Sequence, residues 1–327
     1  MEDNIMEVKK IVEEINKKQT DITNVFFVGC GASQADLYPA KYFLDGNAKK
    51  IRACLYTANE FNYATPVAVG TQSIVITCSL GGTTPETVKA TSLAKKLGAH
   101  TIAVTHDSSA PITKDADYVI EFTWNESYSS KMDKMIKVVA LAAEILNTYE
   151  GYSDYKKMME GIEKIYGVID QAVSSVVPEA KEFAENYKDA PVLYVMSSGA
   201  THEVAYAFSI CLMMEMQWIN SGSFHDGEFF HGPFEIVDKD VPFLLLMNEG
   251  RTRAMDSRAL DFLNRFEAKT TVVDAKDFGL GSYIAKEVID YFNPMILSAI
   301  IRVYAEQIAI IRNHPLTKRR YMWKLEY

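Results

Sequence analysis

Residues 227–236 read GEFFHGPFEI, a largely apolar stretch with one imidazole, that of His231, directly before Gly232 and Pro233. Histidine is the side chain whose ordinary titration falls near neutral pH, so a ring in such a loop suits general acid work. The plain alternative is a histidine satisfied in the core or at the surface. A carboxylate lies sixteen positions upstream. Between Val204 and Ile219 the only charged residue is Glu215, in HEVAYAFSICLMMEMQWI. A carboxyl group on so apolar a helix loses hydration. Burial disfavours its ionised form, which makes it a stronger base. The competing reading is a buried glutamate satisfied by backbone N–H groups or by an arginine. His202, at the start of that helix, is read as a cap, and His225 is the weaker candidate.

A second type of chemistry sits in CSLGGTTPETVKA, residues 78–90. An apolar run ends at Cys78. Ser79, Gly81, Gly82, Thr83 and Thr84 follow, then Pro85 at the expected first helical turn, with Glu86 three after Thr83 as in a capping box. Glycines let backbone N–H groups turn inward, hydroxyls add donors, and a helix N-terminus adds partial positive charge. Such a loop cradles a phosphate without lysine, or it is an ordinary strand-to-helix turn. It lacks the GxxxxGK[ST] pattern of nucleotide hydrolases. GCGASQ, residues 29–34, matches the dinucleotide fingerprint only halfway, because Gln34 takes the place of the third glycine. No acidic residue ends the next strand to hold a ribose. No metal or redox cofactor is expected.

These residues need a scaffold, and the chain is long enough to supply one. It has 327 residues, of which 48% are hydrophobic and 24% charged, so a sizeable core is available. A net charge of −9 argues against nucleic acid as partner. None of the four cysteines forms a CxxC pair or a zinc spacing. A reducing cytoplasm is the expected location. The amino terminus is read as a charged amphipathic helix rather than a leader, and the absence of an apolar run of about 18 residues predicts no membrane span.

The organisation is duplicated. NVFFVGCGASQADLYPAKYFL, from Asn24, parallels PVLYVMSSGATHEVAYAFSI, from Pro191. Gly31 and Gly199, Glu60-Phe61 and Glu228-Phe229, and the runs starting at Ser73 and Val241 all share one shift of 168 positions. Glu228, present in both copies as Glu60, is read as structural. In the first copy strands are expected near 25–29, 51–56, 73–78, 101–105 and 118–122. In the second they are expected near 192–196, 221–225, 242–247, 270–273 and 287–291. Near-continuous apolar strands separated by helices mean parallel sheets covered on both faces, an α/β fold. Open parallel sheets bind ligands beyond the carboxyl ends of their strands. Residues 1–150 are read as an N-terminal helix plus the first domain, 151–189 as a helical connector, and 190–327 as the second domain and tail. The second copy of the phosphate-type loop is NEGRTRAMD, residues 248–256, whose arginines suggest a structural or interface task. The tail NHPLTKRRYMWKLEY is expected to dock through Tyr321, Met322 and Trp323.

SLGGTTPET, EFFHGPFEI, RRYMWKLEY and the duplication together resemble tandem sugar isomerase (SIS) domain proteins, over essentially the whole chain. The resemblance is nearest to the fructosamine 6-phosphate deglycases and more distant to the isomerase half of glucosamine-6-phosphate synthase. It implies two flavodoxin-like sheets. It implies Glu215 as catalytic base and His231 as its acid partner. Ser79, Gly81 and Thr84 would hold phosphate, Gly31, Ala32 and Ser33 would touch the sugar, and Lys324 would match a sugar-binding lysine. Gly81 stands where many relatives carry serine, and Phe230 where the synthase has lysine. The implied partners are a sugar phosphate and a second copy of the chain, as a homodimer or dimer of dimers with the site shared between chains. The alternatives are a phosphosugar ketose–aldose isomerase, an amino-sugar phosphate deaminase, or a non-enzymatic phosphosugar-binding regulator.

Overall fold

The computed structural model describes residues 2–326 and divides into two compact units, residues 1–166 and 167–327. The division falls within the helix Tyr155–Ser175, inside the stretch read as connector.

The first unit holds five strands: β1 (Asn24–Gly29), β2 (Arg52–Thr57), β3 (Ser73–Cys78), β4 (His100–Thr105) and β5 (Tyr118–Glu121). They pair in the order β2-β1-β3-β4-β5, all parallel. Parallel pairing needs a crossover between successive strands, and helices such as Pro85–Lys96 supply it. The central strand β3, SIVITC, is buried at every position, as expected of a strand covered on both faces. On one face Phe26, Val28 and Val75 pack with Phe61, Ala90 and Ala94.

The second unit has four parallel strands, β6 (Val192–Ser197), β7 (Asn220–His225), β8 (Pro242–Met247) and β9 (Lys269–Asp274), in the order β7-β6-β8-β9. The first four strands of each unit therefore follow one order. Helix Arg253–Arg265 covers the face built on Met196, Phe243, Leu245, Ala259 and Leu263. The run at 287–291 is not a tenth strand but a short helical turn, Ile289–Tyr291, leading into helix Asn293–Ile311. Its polar groups are taken by the loop after β8 rather than by a sheet edge. Asp290 accepts from the Arg251 N–H at 2.8 Å, and Asn293 accepts from that of Glu249 at 2.6 Å. Residues 289–311 are long and apolar enough to span a bilayer, contrary to the expectation that no such run exists. Most of this stretch is buried in the protein, as in a core helix.

Candidate active site

The loop after β3 is built by one proline. Pro85 disfavours helical backbone in the residue before it, and Thr84 is extended at φ −60°, ψ 114°. The helix accordingly starts at Pro85 with Thr84 as its N-cap, so its N3 residue is Thr87. Glu86 is one position too early for the capping box expected from Thr83, and no side chain caps this helix. The Thr84 hydroxyl instead lies 2.9 Å from that of Ser79, which closes the loop. Gly82 is fixed by φ +63° and by crowding: a Cβ there would come within 2.4 Å of Ala110 and 2.9 Å of Ile112. Gly81 has room, its nearest neighbour to a Cβ being the Thr83 hydroxyl at 3.9 Å. The N–H groups of Gly81, Thr83 and Thr84 meet no acceptor among the described residues. Three donors left over at a helix N-terminus suit a multiply charged oxyanion.

The loop after β1 adjoins this cradle, because β1 and β3 are neighbours. Gly31 takes φ 53° as N-cap of the turn Ala32–Ala35, and Ser33 hydrogen-bonds the thiol of Cys78 at the end of β3. Complete burial pushes that thiol up to about 11, so it is inert as a nucleophile. Gly31, Ala32, Ser33, Ser79, Gly81 and Thr84 thus converge in the first unit. A residue not foreseen from the sequence is Lys134 on helix Tyr128–Tyr149. It is buried, 2.6 Å from Asp36, and near enough to Cys78 to oppose the rise of its thiol. Its charge is engaged by Asp36, so the cradle still relies on backbone and hydroxyl donors.

In the second unit the helix after Gly199 changes character. It is α-helical over His202–Ala207 and π-helical over Phe208–Gln217, ending with Trp218 at a left-handed φ of 57°. Wide turns of this kind are frequent at functional sites. Glu215 lies on the π-helical part and opens into a cavity of about 490 Å³, also lined by Met214, Trp218, Ile219, Arg319 and Arg320. Its carboxylate accepts from Arg319 at 2.7 Å, with side-chain exposures of 24% for Glu215 and 8% for Arg319. Both sequence readings of Glu215 therefore hold together: the group is desolvated and it is paired with an arginine. Burial pushes its pKa above the usual glutamate value, and the Arg319 charge holds the rise back.

Arg319 is the residue that sequence reasoning passed over. The tail does dock, but through this guanidinium, which also donates to the carbonyls of Leu316 and Lys318. Tyr321 and Trp323 are mostly exposed, against the expectation that the aromatics would anchor it. Lys324 donates to the Arg319 carbonyl at 2.6 Å and does not line the cavity. His202 closes the short turn Gly199–Thr201 with its backbone N–H, which donates to Gly199, but its ring caps no helix: its Nδ1 is buried without a partner among the described residues, its ring packs 5.0 Å from that of His225, and burial drives its pKa down to about 4.

Residues 20–144 match the family model of the SIS domain. The chain is 40% identical to fructosamine deglycase FrlB of Bacillus subtilis, across 98% of this chain and 97% of that one. It belongs to the SIS domain family. A more distant relative of this SIS protein is the fructoselysine 6-phosphate deglycase of Escherichia coli K12, 25% identical over 96% of this chain and 89% of that one. A crystal structure from Salmonella typhimurium LT2, assigned to a phosphosugar isomerase, superposes with a TM-score of 0.96. It is 40% identical, with 99% of this chain and 97% of that one covered.

Within one SIS chain Glu215 and His231 do not meet. Asn220, the first residue of β7, hydrogen-bonds Pro191, and Glu215 precedes it by five residues. His231 follows the last residue of β7 by six and is exposed on a short helical turn, Phe229–His231. A six-residue strand is about 20 Å long, so the two groups lie at opposite ends of this sheet. The Glu215 cavity thus opens at the amino end of β7, not at the carboxyl ends where the fold rule directs attention.

The loop after β8 differs from its first-unit counterpart. Asn248 donates to Ser198, Thr252 and Asp256, Arg253 pairs with Asp274 at 2.5 Å, and Arg251 pairs with Asp290. These donors are consumed internally, which is the structural task the sequence suggested.

Proposed function

We propose that this protein is a cofactor-free fructosamine 6-phosphate deglycase, releasing glucose 6-phosphate and a free amino acid from phosphorylated Amadori adducts. The substrate class rests on the end-to-end likeness to fructosamine deglycase FrlB. The observation that carries the chemistry is Glu215, a partly desolvated carboxylate facing a cavity large enough for a substrate. In the open-chain adduct, C1 carries the nitrogen and C2 the carbonyl. Glu215 takes a proton from C1, and the electron pair moves to give an enaminol as the C2 oxygen gains a proton. Return of a proton to C2, with the nitrogen lone pair closing the C1–N double bond, gives an iminium that keeps the C2 hydroxyl, and loss of the N–H proton leaves the neutral imine. Water adds to C1, the C–N bond breaks, and the aldose and amine depart. Positioned acid and base groups each contribute about 10²–10⁴ in rate.

The phosphate is placed on the Ser79–Thr84 loop, remote from the reacting carbons, with Gly31, Ala32 and Ser33 against the sugar. His231 opens the ring and manages the oxygen protons. Since it lies at the far end of the sheet from its own Glu215, it serves the site of a second copy in a homodimer. No step is assigned to Lys324. A common strand order in both units supports descent by internal duplication, and a cytoplasmic setting suits a sugar phosphate substrate. The assignment of the Salmonella relative favours one other reading, ketose–aldose isomerisation at the same base. The test is product analysis on a panel of fructosamine 6-phosphates and ketose 6-phosphates. Stoichiometric glucose 6-phosphate and free amino acid from the former is the expected result. Interconversion of simple sugar phosphates without amine release would refute deglycation.

A further inference from the structure

The cavity beside Glu215 holds two arginines in different states. Arg319 is committed, with the Leu316 and Lys318 carbonyls and the Glu215 carboxylate as acceptors. Arg320 has no acceptor among the described residues. Its guanidinium carbon stands 4.4 Å from the centre of the Trp218 ring. Trp218 is itself held in place: its backbone sits at φ 57°, and His314 packs edge-on against its ring at 4.4 Å. The neighbouring Gln217 amide donates to the His314 carbonyl at 2.8 Å. A guanidinium stacked on an indole keeps its edge N–H groups free, and that planar fork matches a carboxylate. Arg319 offsets the charge of Glu215, so the cavity carries the uncompensated positive charge of Arg320.

We propose that Arg320, stacked on Trp218, receives the α-carboxylate of the amino acid portion, so that the preferred substrates are fructosamine 6-phosphates bonded through an α-nitrogen. The inference rests on the deglycase reading and specifies its substrate class. Covalent geometry supports it. In an α-linked adduct the path from C1 to the carboxylate carbon is C1–N–Cα–C. That is three bonds, about 3.8 Å when extended, as between successive Cα atoms. With Glu215 poised on the C1 proton, the carboxylate falls in the same cavity, where Arg320 is the lining cation that meets no acceptor among the described residues, with Lys318 outside the lining but 5.1 Å above the same Trp218 ring. A side-chain-linked lysine adduct carries its α-carboxylate several bonds further away.

Two adducts test this in the full-length protein: fructosylglycine 6-phosphate and its methylamine counterpart, which differ by the carboxylate alone. Because the two amines differ in intrinsic reactivity, the readout is the change in the ratio of their kcat/KM values when Arg320 is altered. Arg320→Ala is expected to lower kcat/KM for the glycine adduct by about 10- to 100-fold, the range of a charge-assisted pair, chiefly through KM. The methylamine adduct should change less than about 2-fold, and Arg320→Lys should restore part of the ratio. Equal effects on both adducts, or no effect on either, overturns the inference while leaving deglycation intact. If the unaltered protein releases glucose 6-phosphate from neither adduct, the deglycase reading falls, and this inference with it.

Discussion

Glu215→Gln separates chemistry from architecture at the proposed base. Glutamine keeps the shape and an oxygen that can accept from Arg319, but it cannot take a proton from carbon. Loss of general base catalysis removes about 10²–10⁴ of rate, or roughly 3–5 kcal/mol of barrier lowering. The cost to stability is set by the ion pair. Removing one member of a fully buried pair costs about 3–5 kcal/mol. Here Glu215 keeps 24% exposure, and Arg319 retains the Leu316 and Lys318 carbonyls. The exchange is nearer that of a charge-assisted for a neutral hydrogen bond, about 1 kcal/mol, which lowers Tm by about 2–4 °C. Steady-state release of glucose 6-phosphate and a thermal melt should therefore diverge, with activity falling by orders of magnitude and Tm by a few degrees. In the unaltered enzyme, burial of Glu215 places the acid limb of kcat/KM above the pH of an ordinary glutamate, since the base must be ionised to act. A glutamine variant that retains more than about a tenth of the activity would remove Glu215 from the mechanism.

The two adjacent glycines of the cradle should respond in opposite ways. Gly82→Ala meets Ala110, Ile112 and a left-handed backbone, and should cost at least about 1–2 kcal/mol in a urea melt, whereas Gly81→Ser enters open space and should leave the melt within about 0.5 kcal/mol. Asp226 is buried, its oxygens meet no donor among the described residues, and burial followed by the neighbouring Asp256 raises its pKa. The folded protein thus holds a proton that the unfolded chain releases above about pH 4, and stability declines as pH rises from there toward the folded value; Asp226→Asn should flatten that decline in urea midpoints between pH 6 and 9, and an unchanged slope would show that another group causes it.

Much of this arrangement was legible in the sequence because it follows from local rules. Runs such as SIVITC and PFLLLM must be covered on both faces, and they are buried throughout. Pro85 and the glycines before it marked the loop after β3, although the same proline moved the cap by one residue. What stayed hidden depends on partners distant in the chain. The apolar run at 287–291 has strand character, yet the loop after β8 captures Asp290 and Asn293 and turns it helical. Periodicity could not reveal the π-helical widening that carries Glu215, since its residues are apolar on nearly every side. Arg319 lies 104 positions beyond Glu215. The visible signal was a basic tail with nothing acidic beside Arg319, opposite a lone carboxylate in need of a cation.

The loops after β3 and β8 show how one sheet pattern can carry turns with opposite donor balance. Both follow the third strand of their unit and both begin a helix. In the second, Asn248 bridges Ser198, Thr252 and Asp256, while Gly250 is pressed against Asp290 so closely that a Cβ would overlap its carboxylate. An anion entering there would have to break bonds already made and would meet Asp256 and Asp290. In the first, Ser79 and Thr84 bond each other, no carboxylate is tied into the turn, and the N–H groups of Gly81, Thr83 and Thr84 are left over. Net donors, rather than net charge, are what a phosphate loop needs, and the first loop has them although the chain carries a charge of −9. The second unit keeps its carboxylate at the other end of its own sheet, in a cavity whose lining cations among the described residues, Arg319 and Arg320, both come from the tail.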